Sequence, residues 1–148
     1  MRNKAIQYTL LICLVPMLMG FYNLPQGIVG QVWLEGNARM PLKGMSKQKG
    51  HPISTIVYVY EAANIDQLIG QEGHYAKGIK AKIIKQVLSD KTGKFKLRLM
   101  PGKYSIVVGY QAGIYIPYFS GNIGVAFVEV SRHQFQEIDL RITASSMD

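Results

Sequence analysis

Apolar and polar residues alternate in short runs from Gly27 onward, which is the period of half-buried β-strands. In residues 94–99 three apolar side chains alternate with three basic ones, and residues 137–142 repeat the alternation with mixed charges. Because successive side chains of a strand point to opposite faces, each run predicts one buried and one solvated face. No window has the spacing of an amphipathic helix, so the pattern predicts an all-β domain.

Seven segments of the chain carry this strand pattern. They are Ile28–Leu34, Thr55–Glu61, Lys82–Ser89, Lys94–Leu99, Lys103–Tyr110, Val125–Val130 and Glu137–Ile142. Seven strands at short intervals predict a β-sandwich of two packed sheets, or a small barrel, in one domain over residues 27–143. Within the second segment, Ile56–Tyr60 is apolar at nearly every position, which predicts a central strand covered by protein on both faces.

Two turns contain residues typical of tight connections. Asp90–Gly93 begins with a side-chain acceptor and ends with glycine, and Met100–Lys103 contains the Pro-Gly pair of a type II turn. We expect these turns to join residues 82–110 as three consecutive antiparallel strands. Residues 62–78 have no period of either kind and predict a long loop, with one short helical turn at Asn64–Leu68.

The N-terminus has the charge pattern of an export signal. Arg2 and Lys4 precede an apolar stretch, and no further charge occurs before Glu35. The densest apolar part, residues 10–21, is shorter than the roughly 20 apolar residues that a membrane-spanning helix needs. Residues 1–22 are therefore predicted to be a cleaved signal peptide, which places the domain outside the cytoplasm: in the periplasm, at the cell surface or secreted.

Two alternatives stay open for this segment. Cys13 is a candidate lipoprotein acceptor, although Ile12 stands where that processing needs a small residue. Residues 5–22 left uncleaved would instead anchor the domain, and this is the one route to membrane association that the sequence offers.

Residues that usually carry catalysis or bind metals are sparse. A single cysteine excludes an intramolecular disulfide and a multi-cysteine metal site, and His51, His74 and His133 fall near different predicted loops. The chain contains no nucleophile elbow, HExxH sequence or phosphate loop. We therefore expect no enzyme activity, no bound metal and no cofactor.

A longer motif resembles a known domain family. Residues 89–108 read SDKTGKFKLRLMPGKYSIVV, which is close to the TDxxGxFxLxLxPGxYxIxV motif of carboxypeptidase regulatory-like domains. Gly27–Val32 and His51–Ile53 are similar to the start of that family, so the resemblance covers residues 27–143. The resemblance implies a seven-stranded Greek-key β-sandwich of the transthyretin-like, or prealbumin-like, type. It also implies an exported accessory module, of the kind found in Bacteroidetes-type bacteria, with no reaction attached.

Positive charge is concentrated in one part of the chain. Nine basic residues and one acid lie between Lys77 and Lys103, so this stretch alone matches the +8 of the whole chain. Such a patch suits an acidic protein, a polysaccharide or lipid headgroups, and export makes nucleic acid an unsuitable partner. The alternative is a solvated face whose lysines prevent edge-to-edge aggregation. On antiparallel strands, five of the basic side chains are predicted to share one sheet face: Lys80, Lys82, Lys94, Lys96 and Arg98.

Residues 110–122 place aromatic side chains among glycines. Aromatic rings beside an amide can stack on sugar rings or anchor a partner, which makes this segment a candidate ligand site. The alternative is a plug at the end of the sandwich. The sequence thus predicts a non-enzymatic binding module at the cell envelope, with an envelope protein as its first expected partner and a polysaccharide as the alternative. The residues assigned to the candidate ligand site are Tyr115, Tyr118, Phe119 and Asn122.

Overall fold

The computed structural model describes residues 25–36 and 50–143, which form β-strands joined by turns and loops. Each of the seven predicted segments overlaps at least one strand, so the all-β prediction is confirmed. The predicted helical turn at Asn64–Leu68 is also present, as a 3₁₀ turn at Ile65–Gln67. In chain order the strands are β1 (Gly27–Glu35), β2 (His51–Pro52), β3 (Ile56–Glu61), β4 (Leu68–Ile69), β5 (Tyr75–Ala76), β6 (Gly78–Ile79), β7 (Ile83–Leu88), β8 (Lys94–Arg98), β9 (Gly102–Tyr110), β10 (Gly113–Tyr115), β11 (Phe119–Ser120), β12 (Gly124–Val125), β13 (Phe127–Val130) and β14 (Phe135–Thr143).

The first of the two large sheets, sheet A, is built around β1. This strand runs parallel to β14 over its whole length, with Gly27 opposite Phe135 and Glu35 opposite Thr143. On its other side β1 pairs antiparallel with β8, and then with the short β2. Within the described residues, β8 and β14 are therefore the two long edges of sheet A.

The second sheet, sheet B, is built around β9. One side of β9 pairs with β3, which in turn pairs with β7, and the other side pairs with β13 and β10. The short β5 extends the sheet beyond β10.

The main hydrophobic core lies between the two sheets. Alternation along β8 is as predicted, since Phe95, Leu97 and Leu99 are buried while the basic residues between them are exposed. Leu140 and Ile142 of β14 enter the same core, where they meet the inward residues of β3 and β9. Sheet on sheet packing of this kind gives the domain its β-sandwich character.

A second, smaller core covers the outer face of sheet B. The long segment between β3 and β7 and the segment between β10 and β13 fold over this face and bury Val107 and Ile116 completely. Ser105 supports the first of these segments, because its buried hydroxyl accepts a 2.8 Å hydrogen bond from the Ala63 amide. Residues 62–78, predicted as a loop, are therefore part of the packed structure.

The prediction that residues 82–110 form three neighbouring antiparallel strands is wrong. β7 belongs to sheet B and β8 to sheet A, and β9 then returns to sheet B. Both turns thus cross between the sheets instead of closing hairpins. The physical reason is that alternation specifies which face of a strand is buried but not which strand lies beside it, and the same turn residues suit both kinds of connection.

The turn between β7 and β8 is nonetheless held by the predicted side chain. The Asp90 carboxylate accepts hydrogen bonds from the Thr92 amide (2.8 Å), the Thr92 hydroxyl (2.7 Å) and the Lys94 amide (3.0 Å). Gly93 has a φ of 76°, in the left-handed region that glycine adopts without strain. The hydroxyl bond from Thr92 and the amide bond from Lys94 lower the pKa of Asp90 below its usual 3.8.

Asp90 is expected to make the stability of the fold depend on pH in the acid range. A carboxyl whose pKa is lower in the folded chain stabilises it at neutral pH, and this contribution is lost as the pH falls through the lowered pKa. The Asp90→Asn variant keeps the turn acceptor but not the charge, so we expect a lower thermal unfolding midpoint at neutral pH. The deficit should shrink as the solution is acidified below pH 3.8, and a deficit that stays constant across the titration would contradict the assignment.

The predicted signal peptide at residues 1–22 lies outside the described residues. Within residues 25–36 and 50–143, no helix is long and apolar enough to cross a membrane.

Candidate functional site

An open groove of about 550 Å³ lies on the outer face of sheet B, where the second core leaves the sheet uncovered. Its floor is formed by β3 and the end of β9, and its rim by the 111–113 turn and the start of β6. We call this depression the tyrosine groove, after Tyr58 and Tyr60 of β3, which line it.

Tyr58 and Tyr60 are two positions apart on one strand, so both rings lie on the same face of the sheet. Their ring centroids are 6.4 Å apart, with an angle of 41° between the ring planes. Both rings are half-buried, because they pack on the second core while also lining the groove. Burial chiefly, and the neighbouring Tyr58 to a lesser extent, raise the pKa of Tyr60 above its usual 10.0.

Gly109 leaves room for the Tyr58 ring. A Cβ placed at Gly109 would lie 3.2 Å from Cε2 of Tyr58 and 3.4 Å from the Ile56 carbonyl oxygen. Any larger residue at position 109 would therefore press on the ring, whereas glycine lets the ring lie along the sheet surface.

Polar groups surround the two rings. The Thr55 hydroxyl donates to the Gly109 carbonyl at 2.5 Å, which ties β3 to the end of β9 at the groove floor. Exposed Lys77 and Gln111 stand on the rim. The groove therefore combines aromatic faces, amide and hydroxyl groups and one cation in an open depression.

This groove is not predicted from the sequence. Ile56–Tyr60 was expected to be covered on both faces, but Ile56, Tyr58 and Tyr60 remain partly exposed. Two tyrosines at strand period indicate a shared aromatic face, and this signal was present in the sequence. Whether that face is open or covered depends on where residues 62–81 and 111–126 pack. The strand pattern does not predict that packing.

The predicted aromatic site is divided between the two cores. Tyr115 is 3% exposed and faces the main core, where its ring stacks on His74 at 5.5 Å and its hydroxyl accepts from the Thr143 amide at 3.1 Å. Phe119 packs against the second core and lies 5.3 Å from His74. Tyr115 is therefore largely enclosed by the core, whereas Phe119 remains partly exposed.

The remaining two residues of that prediction are exposed. Tyr118 is 36% exposed, and its hydroxyl donates to the Phe127 carbonyl at 3.1 Å. Asn122 is exposed in the turn between β11 and β12. The four predicted residues do not form a single ligand platform.

The five basic residues predicted on one sheet face do not share a sheet face. Lys94, Lys96 and Arg98 alternate along β8 on the outer face of sheet A. Lys80 and Lys82 precede β7 at the end of sheet B, where the Lys82 carbonyl accepts from the Glu61 amide at 2.9 Å. The prediction that these five residues share one sheet face is therefore wrong, because β7 and β8 belong to different sheets.

Within the described part of the chain, no group of three or more His, Cys, Asp or Glu residues is arranged to hold a metal ion. A second depression of about 530 Å³, lined by Glu72, His74 and Tyr115 among others, lies at the end of the sandwich. The His74 ring there is already engaged, with Nδ1 at 2.6 Å from the Ile116 carbonyl oxygen.

These features define an all-β, sandwich-like domain with an open aromatic groove on the outer face of sheet B. A scan against protein-family models finds no match for the chain, and a search of curated proteins finds no relative.

Proposed function

We propose that this protein is a non-enzymatic carbohydrate-binding module that holds a sugar chain in the tyrosine groove. The observation that carries the proposal is the pair of half-buried tyrosine rings lining an open depression. This takes up the carbohydrate hypothesis from the sequence but moves its site from residues 110–122 to β3.

The chemistry of the groove suits a saccharide better than an apolar ligand. Sugar rings have apolar faces that stack on aromatic rings and hydroxyls that need hydrogen-bonding partners. Tyr58 and Tyr60 supply the ring faces, while the rim supplies the amide of Gln111 and the ammonium of Lys77. Because the depression is open instead of enclosed, it suits a segment of a chain, and Lys77 favours a chain that carries acidic groups.

Membership of the carboxypeptidase regulatory-like, transthyretin-like group and an envelope location are part of this proposal. The motif of residues 89–108 supports the first, and the charge pattern of residues 1–22 supports the second. The connections between β7, β8 and β9 add support for a Greek-key arrangement, since such sandwiches join strands that are not neighbours in one sheet. N-terminal sequencing of the exported protein tests the location and the cleavage together.

Binding to polysaccharides is expected to depend on Tyr58 and Tyr60. The Tyr58→Ala/Tyr60→Ala double variant removes two stacking faces, each worth about 0.5–1.5 kcal/mol, so we expect affinity to fall roughly 5- to 150-fold. The measurement is affinity electrophoresis of the protein in gels that contain neutral or acidic polysaccharides, followed by calorimetry with the polysaccharide that retards it most.

Two controls separate loss of binding from loss of fold. The Tyr58→Phe/Tyr60→Phe variant keeps both rings and should keep most of the affinity, and its unfolding midpoint reports whether the sheet is intact. The Tyr118→Ala/Asn122→Ala variant alters the exposed part of the aromatic segment and should bind as the unchanged protein does. Loss of binding in this last variant alone, or no retardation of the unchanged protein by any polysaccharide, would overturn the proposal.

Protein docking is the second candidate function, and it is favoured by a separate observation. Lys94, Lys96 and Arg98 form an exposed basic row along an edge strand of sheet A, on the opposite side of the molecule from the tyrosine groove. An acidic strand is the partner that such a row suits.

A further inference from the structure

The two edge strands of sheet A carry opposite charges on the same face. Alternate outward residues of β8 are Lys94, Lys96 and Arg98. Those of β14 include Glu137, Asp139 and Arg141, and Arg141 forms an ion pair with Glu35 of β1 at 2.8 Å. Rows across the sheet therefore have a cation at one end and an anion at the other: Val29 of β1 lies between Lys96 and Glu137, and Gln31 between Lys94 and Asp139.

The same residues of β8 present their backbone groups at the open edge. The Leu99 amide donates to the Gln26 carbonyl at 3.2 Å, and the Gly93 carbonyl accepts from the Val32 amide at 2.8 Å. The backbone amides and carbonyls of odd-numbered residues therefore face β1. In an antiparallel ladder, those of the even-numbered residues then point away from β1. The Lys94 amide donates to the Asp90 carboxylate, and the Lys94 carbonyl accepts from the Asp90 amide. The Lys85 ammonium donates to the Arg98 carbonyl at 2.7 Å. The Lys96 amide and carbonyl and the Arg98 amide remain outward.

β14 presents its acidic residues in the same way. The Gln134 carbonyl accepts from the Gly27 amide at 3.2 Å, so the backbone groups of even-numbered residues face β1 and those of odd-numbered residues face outward. The Thr143 amide agrees with this alternation, since it donates away from β1 to the Tyr115 hydroxyl at 3.1 Å. Within the described residues, β1 is the one strand that pairs with β14.

Charge decides which edges can meet. Pairing two β8 edges would oppose basic residues to basic residues, which destabilises a cross-strand pair. Two β14 edges avoid opposing carboxylates only where Asp139 meets Arg141, and Arg141 is already bonded to Glu35 of its own copy at 2.8 Å. Pairing β8 with β14 opposes unlike charges instead. We propose that this protein assembles head to tail, with the β14 edge of one copy added to the β8 edge of the next.

The strand directions and the register both fit this assembly. β8 runs antiparallel to β1 and β14 runs parallel to it, so a second copy shifted sideways brings the two edges together as an antiparallel pair. The register that continues the rows places Lys96 opposite Glu137 of the next copy and Lys94 opposite Asp139. In this register Arg98 lies opposite Phe135, whose ring already accepts a cation within one copy, since Lys96 Nζ lies 4.3 Å from its centroid. On β8, the Lys96 amide and carbonyl and the Arg98 amide would make the backbone hydrogen bonds of this pair. Lys94 would contribute its charge alone, because Asp90 already bonds both of its backbone groups.

The contact is heterologous, because the two surfaces that meet are different, so it generates a ring or a filament instead of a closed pair. It uses sheet A and leaves the tyrosine groove of sheet B free. The assembly would therefore display several grooves side by side, although neither proposal depends on the other.

A charge-swap experiment tests the assembly by sedimentation velocity of the purified protein over a range of micromolar concentrations. The unchanged protein is expected to form species larger than a dimer. The Lys94→Glu/Lys96→Glu variant has two acidic edges and the Glu137→Lys/Asp139→Lys variant has two basic ones. Each alone should associate at least about tenfold more weakly. An equimolar mixture of the two should recover the large species, because each acidic edge then meets a basic one.

The matched control is Lys80→Glu/Lys82→Glu, which makes the same charge change away from β8 and should sediment as the unchanged protein does. A circular dichroism melt of each variant checks that sheet A is intact, and recovery in the mixture shows it independently. A monomeric unchanged protein, a closed dimer, or a mixture that stays dissociated would each overturn the proposal. Glycan binding by a monomer would leave the proposed function standing, so the two failures are distinguishable.

Discussion

Replacement of Ile116 by alanine is expected to destabilise the protein by about 2–5 kcal/mol, the usual cost of deleting a fully buried isoleucine. Ile116 is 0% exposed in the second core, where it follows β10 and packs over the outer face of sheet B. Its backbone bonds to His74 do not involve the side chain, so the substitution removes packing alone. An effect this large means that residues 62–81 and 111–126 fold together with the sandwich.

Urea denaturation followed by tryptophan fluorescence measures this effect, because Trp33 lies in sheet A, away from the second core. The expected result is one transition at a lower midpoint, with the slope unchanged. Ile123→Ala is the matched control: this side chain is 65% exposed, and its loss should change stability by no more than about 0.5 kcal/mol. An unchanged transition reported by Trp33 would show instead that the covering segments unfold on their own.

Replacement of Gly30 by alanine is expected to cost about 3 kcal/mol, at the upper end of the range for overpacking a core. Gly30 lies in the middle of β1, between Phe95 of β8 and Ile138 of β14. A Cβ there would collide with the Ile138 carbonyl oxygen and meet the Phe95 ring at 3.2 Å. The carbonyl is part of the backbone ladder, so the strand pair must separate to admit one methyl group.

The comparison variant is Gly78→Ala, in β6. A Cβ at Gly78 has one neighbour, the Ile69 side chain at 3.8 Å, which is an ordinary contact. Chemical denaturation of the two variants should show a near-neutral change at position 78 and a large loss at position 30. Equal losses would mean that the cost comes from glycine replacement in general and not from the close approach of β1 and β14.

The positions of seven strands, and the buried faces of β8 and β14, were predictable from the sequence because they follow from local alternation. Phe95, Leu97 and Leu99 are buried as expected, and Asp90 holds its turn through its own carboxylate. Such features depend on residues within a few positions of one another, so the local sequence is enough to predict them.

The candidate sites were not predictable in the same way. The basic residues of β7 and β8 were expected on one face, but those strands belong to different sheets. Tyr115 was expected to meet a ligand and instead packs in the main core, while Tyr58 was expected to be covered and instead lines the groove. In each case the exposure of a side chain depends on residues far away in the sequence.

By itself, the sequence determined that the described chain is built of strands, where seven of those strands run and, for β8 and β14, which side is apolar. The tertiary structure alone decided that β7 and β8 part into different sheets, that β1 lies between a basic and an acidic edge, and that one stretch of sheet B stays open beside two tyrosines. The reason is that a strand buries its apolar face equally well beside several partners, and the choice among them is made by packing and pairing across the whole domain.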